Sequence, residues 1–293
     1  MSTKPSARFT ALALLLAVAA SQVGCAISNS APAVRRHGRT AESIVADTRT
    51  EFERAIFYKP RSDPSAASDA PPPTLAPLIM EQVLSDADHA AAPSFPAVGP
   101  APPVTADPRR PTLYSSASTV RIHGLLYDQV TYFWRYVSAD RGRMSNTPQD
   151  LGLRITIGHD GFPIVWELPP TRNGSHVLFV STSLESQAAR RFSQPLPGRR
   201  WSIERSVAER PNVVVARIIE DGPIPMGPYV YVSAAPDRDV TTLLCRCSPS
   251  QVSEIVATYE YDIVPVETVV DVAGFEMPPV KLEYLLRWPT APR

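Results

Sequence analysis

Cysteine is scarce in this chain, with three residues in 293, at positions 25, 245 and 247. There is no Cys-x-x-Cys and no second cysteine pair, which excludes an all-thiolate zinc site and a dense disulfide framework. An excess of charge of one sign is also missing, because 29 lysines and arginines balance 29 aspartates and glutamates. No basic stripe is interleaved with aromatics, so a nucleic-acid partner has no electrostatic support and none is expected. Long hydrophobic runs are lacking too. The longest is about a dozen residues, where a spanning helix needs roughly twenty. No Walker loop, dinucleotide fingerprint, haem-attachment motif or His-Glu-x-x-His occurs, and no serine sits in a Gly-x-Ser-x-Gly elbow. No cofactor is therefore expected, and the chain reads as a non-enzyme.

What is present begins at the N-terminus, "MSTKPSARFTALALLLAVAASQVGC". Lys4 and Arg8 precede an apolar run from Phe9 to about Ala20, followed by small residues, the layout of a secretory signal peptide. The end of this segment, "SQVGC", resembles the lipobox of bacterial lipoprotein precursors, with Gly24 and Cys25 carrying the match. That resemblance implies that Cys25 is lipidated before cleavage, and that several acyl chains on one cysteine hold the protein at a membrane. Ala26 follows Cys25, where no acidic retention signal stands, and in a two-membrane cell the resemblance then implies the outer membrane. Ordinary cleavage near "AVAAS" is the alternative and would leave the protein secreted or periplasmic. The resemblance covers only the N-terminus.

Proline organises the next third. Many of the 32 prolines fall between Pro60 and Pro111, in "DAPPPTLAP" and "APSFPAVGPAPPVTADPRRP". Such Pro/Ala composition offers little apolar surface and predicts an extended spacer. Two stretches within it read as short helices. "TAESIVADTRTEFERAIFY" spaces Ile44, Phe52 and Ile56 near-helically behind Thr40 as N-cap, and "TLAPLIMEQVLSDADH" is the second. The expected layout is a signal peptide over 1–24, a Pro/Ala-rich tether with two short helices over 25–117, and a β-rich globular domain over 118–293. A tether of that length could hold the domain more than about 100 Å from its anchor.

From Ser118 the texture becomes that of strands. "STVRIHGLLYDQVTYFWRYV" predicts a hairpin of Val120–Leu125 against Val130–Val137, with a continuous helix from Leu125 as the rival. "LRITIGHDGFPIVWEL" predicts a hairpin turning at Asp160-Gly161, a pair suited to positive φ. "SHVLFVS", "RWSIERS", "NVVVARIIE", Tyr229–Val232 and "DVTTLLCRC" read as further strands. "SLESQAARRF" reads as a helix capped by Ser183. "SPSQVSEIVATYEYDIVPV" starts like a helix, with Ser248 as N-cap and Gln251 completing a capping box, before turning strand-like. The expected fold class is α+β, mostly antiparallel β.

Candidate chemistry is sparse. Cys245 and Cys247 admit three readings: a redox-active disulfide if the backbone bends there, a metal pair needing two distant donors, or two small hydrophobes on one strand face. Tyr132, Trp134 and Tyr136 alternate on a strand and form a candidate binding surface for protein or sugar. Glu260 and Asp262, near Glu254, read as a solvated ribbon face. A hydrolase would need His123, His159 or His176 joined in a pocket to a serine or carboxylate. The function expected from these readings is an exported, lipid-anchored binding or scaffolding module with an envelope protein or glycan as partner. A redox or metal-binding envelope protein using the cysteine pair is the alternative, and a hydrolase the second alternative.

Overall fold

Apolar and β-branched residues alternate with polar ones through most of the chain, and they do so as eleven strands of a single sheet. The structure, a computed structural model, describes residues 51–61, 73–84, 111–136, 149–169, 174–234, 238–265 and 281–289. All of them belong to one compact unit, Gly38–Arg293. The strands are β1 (Phe52–Pro60), β2 (Leu78–Gln82), β3 (Thr112–Ile122), β4 (Leu125–Tyr136), β5 (Gln149–Ile157), β6 (Pro163–Glu167), β7 (His176–Ser181), β8 (Val213–Ile219), β9 (Tyr229–Val232), β10 (Val240–Leu244) and β11 (Val252–Pro265). Their order in space is β10-β9-β2-β1-β11-β3-β4-β5-β6-β7-β8, mostly antiparallel. The expected β-rich class is what the structure has.

The sheet curls until its two end strands, β8 and β10, come alongside each other, giving a nearly closed barrel. Curling removes most of the exposed backbone edge that a long open sheet would present. One continuous apolar cluster, to which all eleven strands contribute, fills the inside; its members include Ile56, Ile79, Leu113, Trp134, Leu153, Trp166, Phe179, Ala216, Val230, Leu243 and Tyr261. Complete burial of each large side chain contributes about 1.5–3 kcal/mol before chain entropy is subtracted. Several outward positions are polar, among them Gln129, Thr131, Arg154 and Thr156.

A helix, α1 (Thr182–Phe192), carries the chain from β7 to its parallel neighbour β8. Parallel neighbours require such a crossover. Its Leu184 and Ala188 pack with Val180, Val215 and Leu282 in a second cluster on the outside of the sheet. The N-cap is Ser181, whose Oγ accepts from the Leu184 N–H at 3.2 Å, two residues before the expected Ser183. Ser183 instead donates its N–H to Asp221 at 2.8 Å. The segment read as a strand at "RWSIERS" is a run of turns with a single antiparallel bridge, Glu204 to Leu286. Glu185 accepts the N–H groups of Ser202 and Ile203, and Glu204 accepts those of Arg200 and Trp201. Carboxylates take the place of a ladder there.

Three further expectations are corrected. Phe52 and Ile56 belong to β1, not to a helix, because residues four apart share a face on a strand as well as on a helix. A bulge between Ala55 and Ile56 then sends Phe52 to the outer face and Ile56 inward. "LIMEQ" is β2 for the same reason, flanked by β1 and β9. The folded part therefore begins by Phe52, well inside the expected 25–117 tether, and β3 starts at Thr112 rather than near Ser118. Residues 26–51, which precede the sheet, can span no more than about 90 Å. The signal segment, Cys25, Ile44 and most of the proline-dense stretches lie outside the described residues.

The third correction is at β11. Its capping-box beginning gives way to a 14-residue strand, since Val252–Tyr261 pair in parallel with β1 and Asp262–Pro265 with β3. Two ladders outweigh one capping interaction worth about 1 kcal/mol. The Asp160-Gly161 turn is as expected: Gly161 has φ +84°, and the Asp160 carboxylate accepts the Phe162 N–H at 3.1 Å. The β3–β4 hairpin forms with longer strands and turns at His123-Gly124, both at positive φ.

Candidate functional site

Alternation along β4 points Val130, Tyr132, Trp134 and Tyr136 to one side, and that side is the barrel interior. Tyr132, Trp134 and Tyr136 are 0%, 1% and 2% exposed. They are core and not a binding surface, which corrects the expectation. Rings of this size bring the most apolar area to the middle of a wide barrel, so burial wins over display. Burial pushes the Tyr58, Tyr132, Tyr136 and Tyr261 hydroxyls above their usual range, so all four are neutral at physiological pH. Phe133, on the opposite face, is also buried and stacks on Tyr114 with ring centroids 5.3 Å apart.

A charge pair lies in the interior. Arg238 Nε donates to Glu81 Oε1 at 2.6 Å, and the Tyr58 hydroxyl donates to Oε2 at 3.2 Å. The guanidinium carbon lies 4.5 Å from the centre of the Tyr136 ring. Burial raises the Glu81 carboxyl above its usual value, and Arg238 opposes that rise. On the outer face, Arg154 and Glu167 are cross-strand partners with Nη1 and Oε1 3.8 Å apart. Burial pushes Glu167 up to about 7, again with the arginine opposing it.

The two cysteines lie at the seam. β10 ends at Leu244, and the chain turns over Cys245–Ser248, with the Ser248 N–H donating to the Cys245 carbonyl at 3.2 Å. The turn supplies the bend that an extended strand would deny, and Cys245 and Cys247 are joined by a disulfide with Cα atoms 5.1 Å apart. The reading of both as reduced hydrophobes on one strand face is corrected, since neither lies in the strand. Bridged sulfurs are not thiolate ligands, and among the described residues no group of three or more His, Cys, Asp or Glu is placed to hold a metal ion.

Arg246, between the cysteines, ties the turn to the neighbouring chain by donating to the carbonyls of Ala76 and Thr74. The Gly227 N–H bonds the same Thr74 carbonyl at 2.8 Å. A Cβ on Gly227 would sit 2.2 Å from the Leu75 oxygen, so only glycine allows that approach.

A shallow cleft opens beside the turn. Its floor is Trp166 and Ile219, its walls are Phe162 and the stiff loop bearing Ile224 and Met226, and its rim is Glu220 and Asp221. The space a water centre can occupy is about 20 Å³, room for a water or two and not for a drug-sized ligand. Glu220 reaches over the seam from the end of β8: its Oε2 accepts from Ser248 Oγ at 3.4 Å and lies 3.8 Å from Cys247 Sγ.

None of the three histidines lines this cleft. His123 sits at the β3–β4 turn and donates its N–H to Glu283 at 2.8 Å. His159 packs its ring on Tyr127 at 4.5 Å. His176 opens β7, its pKa lowered by burial and then by Arg154. The acidic group reads as expected, because Glu254, Glu260 and Asp262 pair across to Arg54, Lys59 and Arg61 on an exposed face. Glu220 was not visible in the sequence, since 27 residues separate it from Cys247 and only barrel closure brings them together. No family model, curated protein or solved structure matches the chain.

Proposed function

We propose that this is an exported envelope protein, held to a membrane by lipid on Cys25, whose barrel serves as a binding or scaffolding module for an envelope protein or glycan. The observation that carries the reading is the Cys245–Cys247 bond, because such bonds persist in oxidising compartments and are rare in the cytosol. It agrees with the signal-like and lipobox-like N-terminus, more than two hundred residues away. A barrel interior filled with side chains favours contacts made on the outer surface over a ligand held inside. The test is growth of a bacterium expressing the chain with an alkyne fatty acid. The label is expected on the protein and lost in Cys25→Ala, which moves out of the membrane fraction. An intact mass that still includes residues 1–24 in the mature protein would sink the proposal.

A second reading takes the cysteine pair as a redox element. It is favoured by one observation: the bond lies in a surface turn with the Cys247 side exposed. Exposed disulfides are the labile ones.

A further inference from the structure

We propose that the Cys245–Cys247 pair is a thiol–disulfide exchange site with fixed roles: Cys247 is the sulfur attacked by a partner thiolate, and Cys245 is the leaving and resolving thiolate. The inference rests on the redox reading above and goes beyond it by assigning the two atoms and the class of partner, a two-cysteine protein or peptide in its dithiol form.

The two sulfurs are not equivalent. Cys245 is 7% exposed and belongs to the barrel core cluster, whereas Cys247 faces solvent. An incoming thiolate must approach along the S–S axis; Cys247 is exposed for that approach, whereas Cys245 meets only the small cleft it lines, which has room for a water or two and not for a thiol-bearing partner. Cys245 Sγ also accepts the Cys247 backbone N–H at 3.0 Å. A thiolate accepts such a bond better than a neutral sulfur does, so the departing charge on Cys245 meets a backbone donor already in place. Glu220 Oε2 lies 3.8 Å from Cys247 Sγ. In the disulfide that sulfur has no proton, but once reduced its S–H can donate to the carboxylate, which holds Cys247 as the thiol.

The step balances as follows. The partner thiolate forms a bond to Cys247 Sγ as the Cys245–Cys247 bond breaks, and the electron pair leaves on Cys245. The partner's second thiolate then attacks its own sulfur in the mixed disulfide and releases Cys247, which takes a proton. The partner is oxidised from dithiol to disulfide, and this chain is reduced from disulfide to dithiol. In the reverse direction the Cys245 thiolate resolves the mixed disulfide. The Glu220 carboxylate repels an anionic nucleophile and so restrains the rate.

The experiment uses the full chain with Cys25→Ala, so that no third thiol competes. Brief exposure to reduced glutathione, acid quenching and peptide mass mapping should place the glutathione adduct on Cys247. Single variants should agree: a glutathione adduct on Cys247 should persist in Cys245→Ser, which lacks the resolving thiolate, and be released at least about tenfold faster in the unaltered pair. Glu220→Gln should speed the first step about three- to tenfold, an effect that shrinks in high salt. Far-UV circular dichroism identifies any variant that has lost the barrel, and mapping of the unmodified pair does not depend on the cysteine variants. An adduct mainly on Cys245, or one on Cys247 that Cys245→Ser releases as fast as the unaltered pair does, overturns the assignment and leaves the redox reading standing. A bond that neither glutathione nor dithiothreitol opens in the folded protein, yet both open in urea, overturns the redox reading as well.

Discussion

Two pairs of opposite charge in this barrel have opposite surroundings. Glu81 and Arg238 are inside, 2% and 4% exposed, with a tyrosine hydroxyl and an aromatic face around them. Lys59 and Glu260 bridge β1 and β11 on the outside at 3.4 Å, each nearly half exposed. The separations differ by less than an ångström, so distance does not decide what each pair contributes. Solvent does. Water already satisfies the outer charges, whereas an inner charge that loses its partner stays desolvated.

The sharpest way to break the comparison is Arg238→Met, which leaves a buried carboxylate facing Tyr58. The expected loss is about 3–5 kcal/mol at neutral pH, read by urea unfolding. It should be smaller at acidic pH, where Glu81 takes up a proton. Adding Glu81→Leu should recover most of the loss, and a double variant no better than the single one would contradict the desolvation argument.

Glu167 sharpens the comparison by titrating within reach. Its folded value of about 7 lies above the ordinary 4.5, so the folded state holds a proton that the unfolded chain gives up. The associated stability is present below about pH 4.5 and is lost as pH rises through about 7, at most about 3 kcal/mol. His176 acts in the other direction: its lowered value removes stability as pH falls through the ordinary histidine range. Glu167→Gln should therefore flatten the fall between pH 4.5 and 7 relative to the unaltered protein, and an unchanged difference across that window would contradict it. The smallest effect is expected outside, where Glu260→Ala should change stability by less than about 1 kcal/mol, and by less still in molar salt.

Legibility followed the range of the interactions. The Asp160-Gly161 hairpin was readable because its turn chemistry, its strands and its closing hydrogen bonds all fall within sixteen residues. The run Tyr132 to Tyr136 was readable as strand, but not as to which face would be enclosed. β1 and β2 were misread as helices because their apolar spacing fits both periods, and only their neighbours in the sheet, β11 and β9, choose between them. Of the seam, the cysteine spacing was visible in the chain, as was the requirement for a bend. Glu220 and Trp166 were not, since neither is near the pair in sequence.

By itself the sequence determined the strand-forming texture, the tight turns, the balanced charge and an N-terminus resembling a lipoprotein precursor, because each depends on residues within a few positions of one another. Tertiary structure alone decided that Tyr132, Trp134 and Tyr136 are interior, that Phe52 to Pro60 is a strand, and that a carboxylate stands beside Cys247. Those outcomes are set by which strands become neighbours when the sheet curls toward closure, and that choice minimises exposed edge and apolar surface over the whole chain rather than within any one segment.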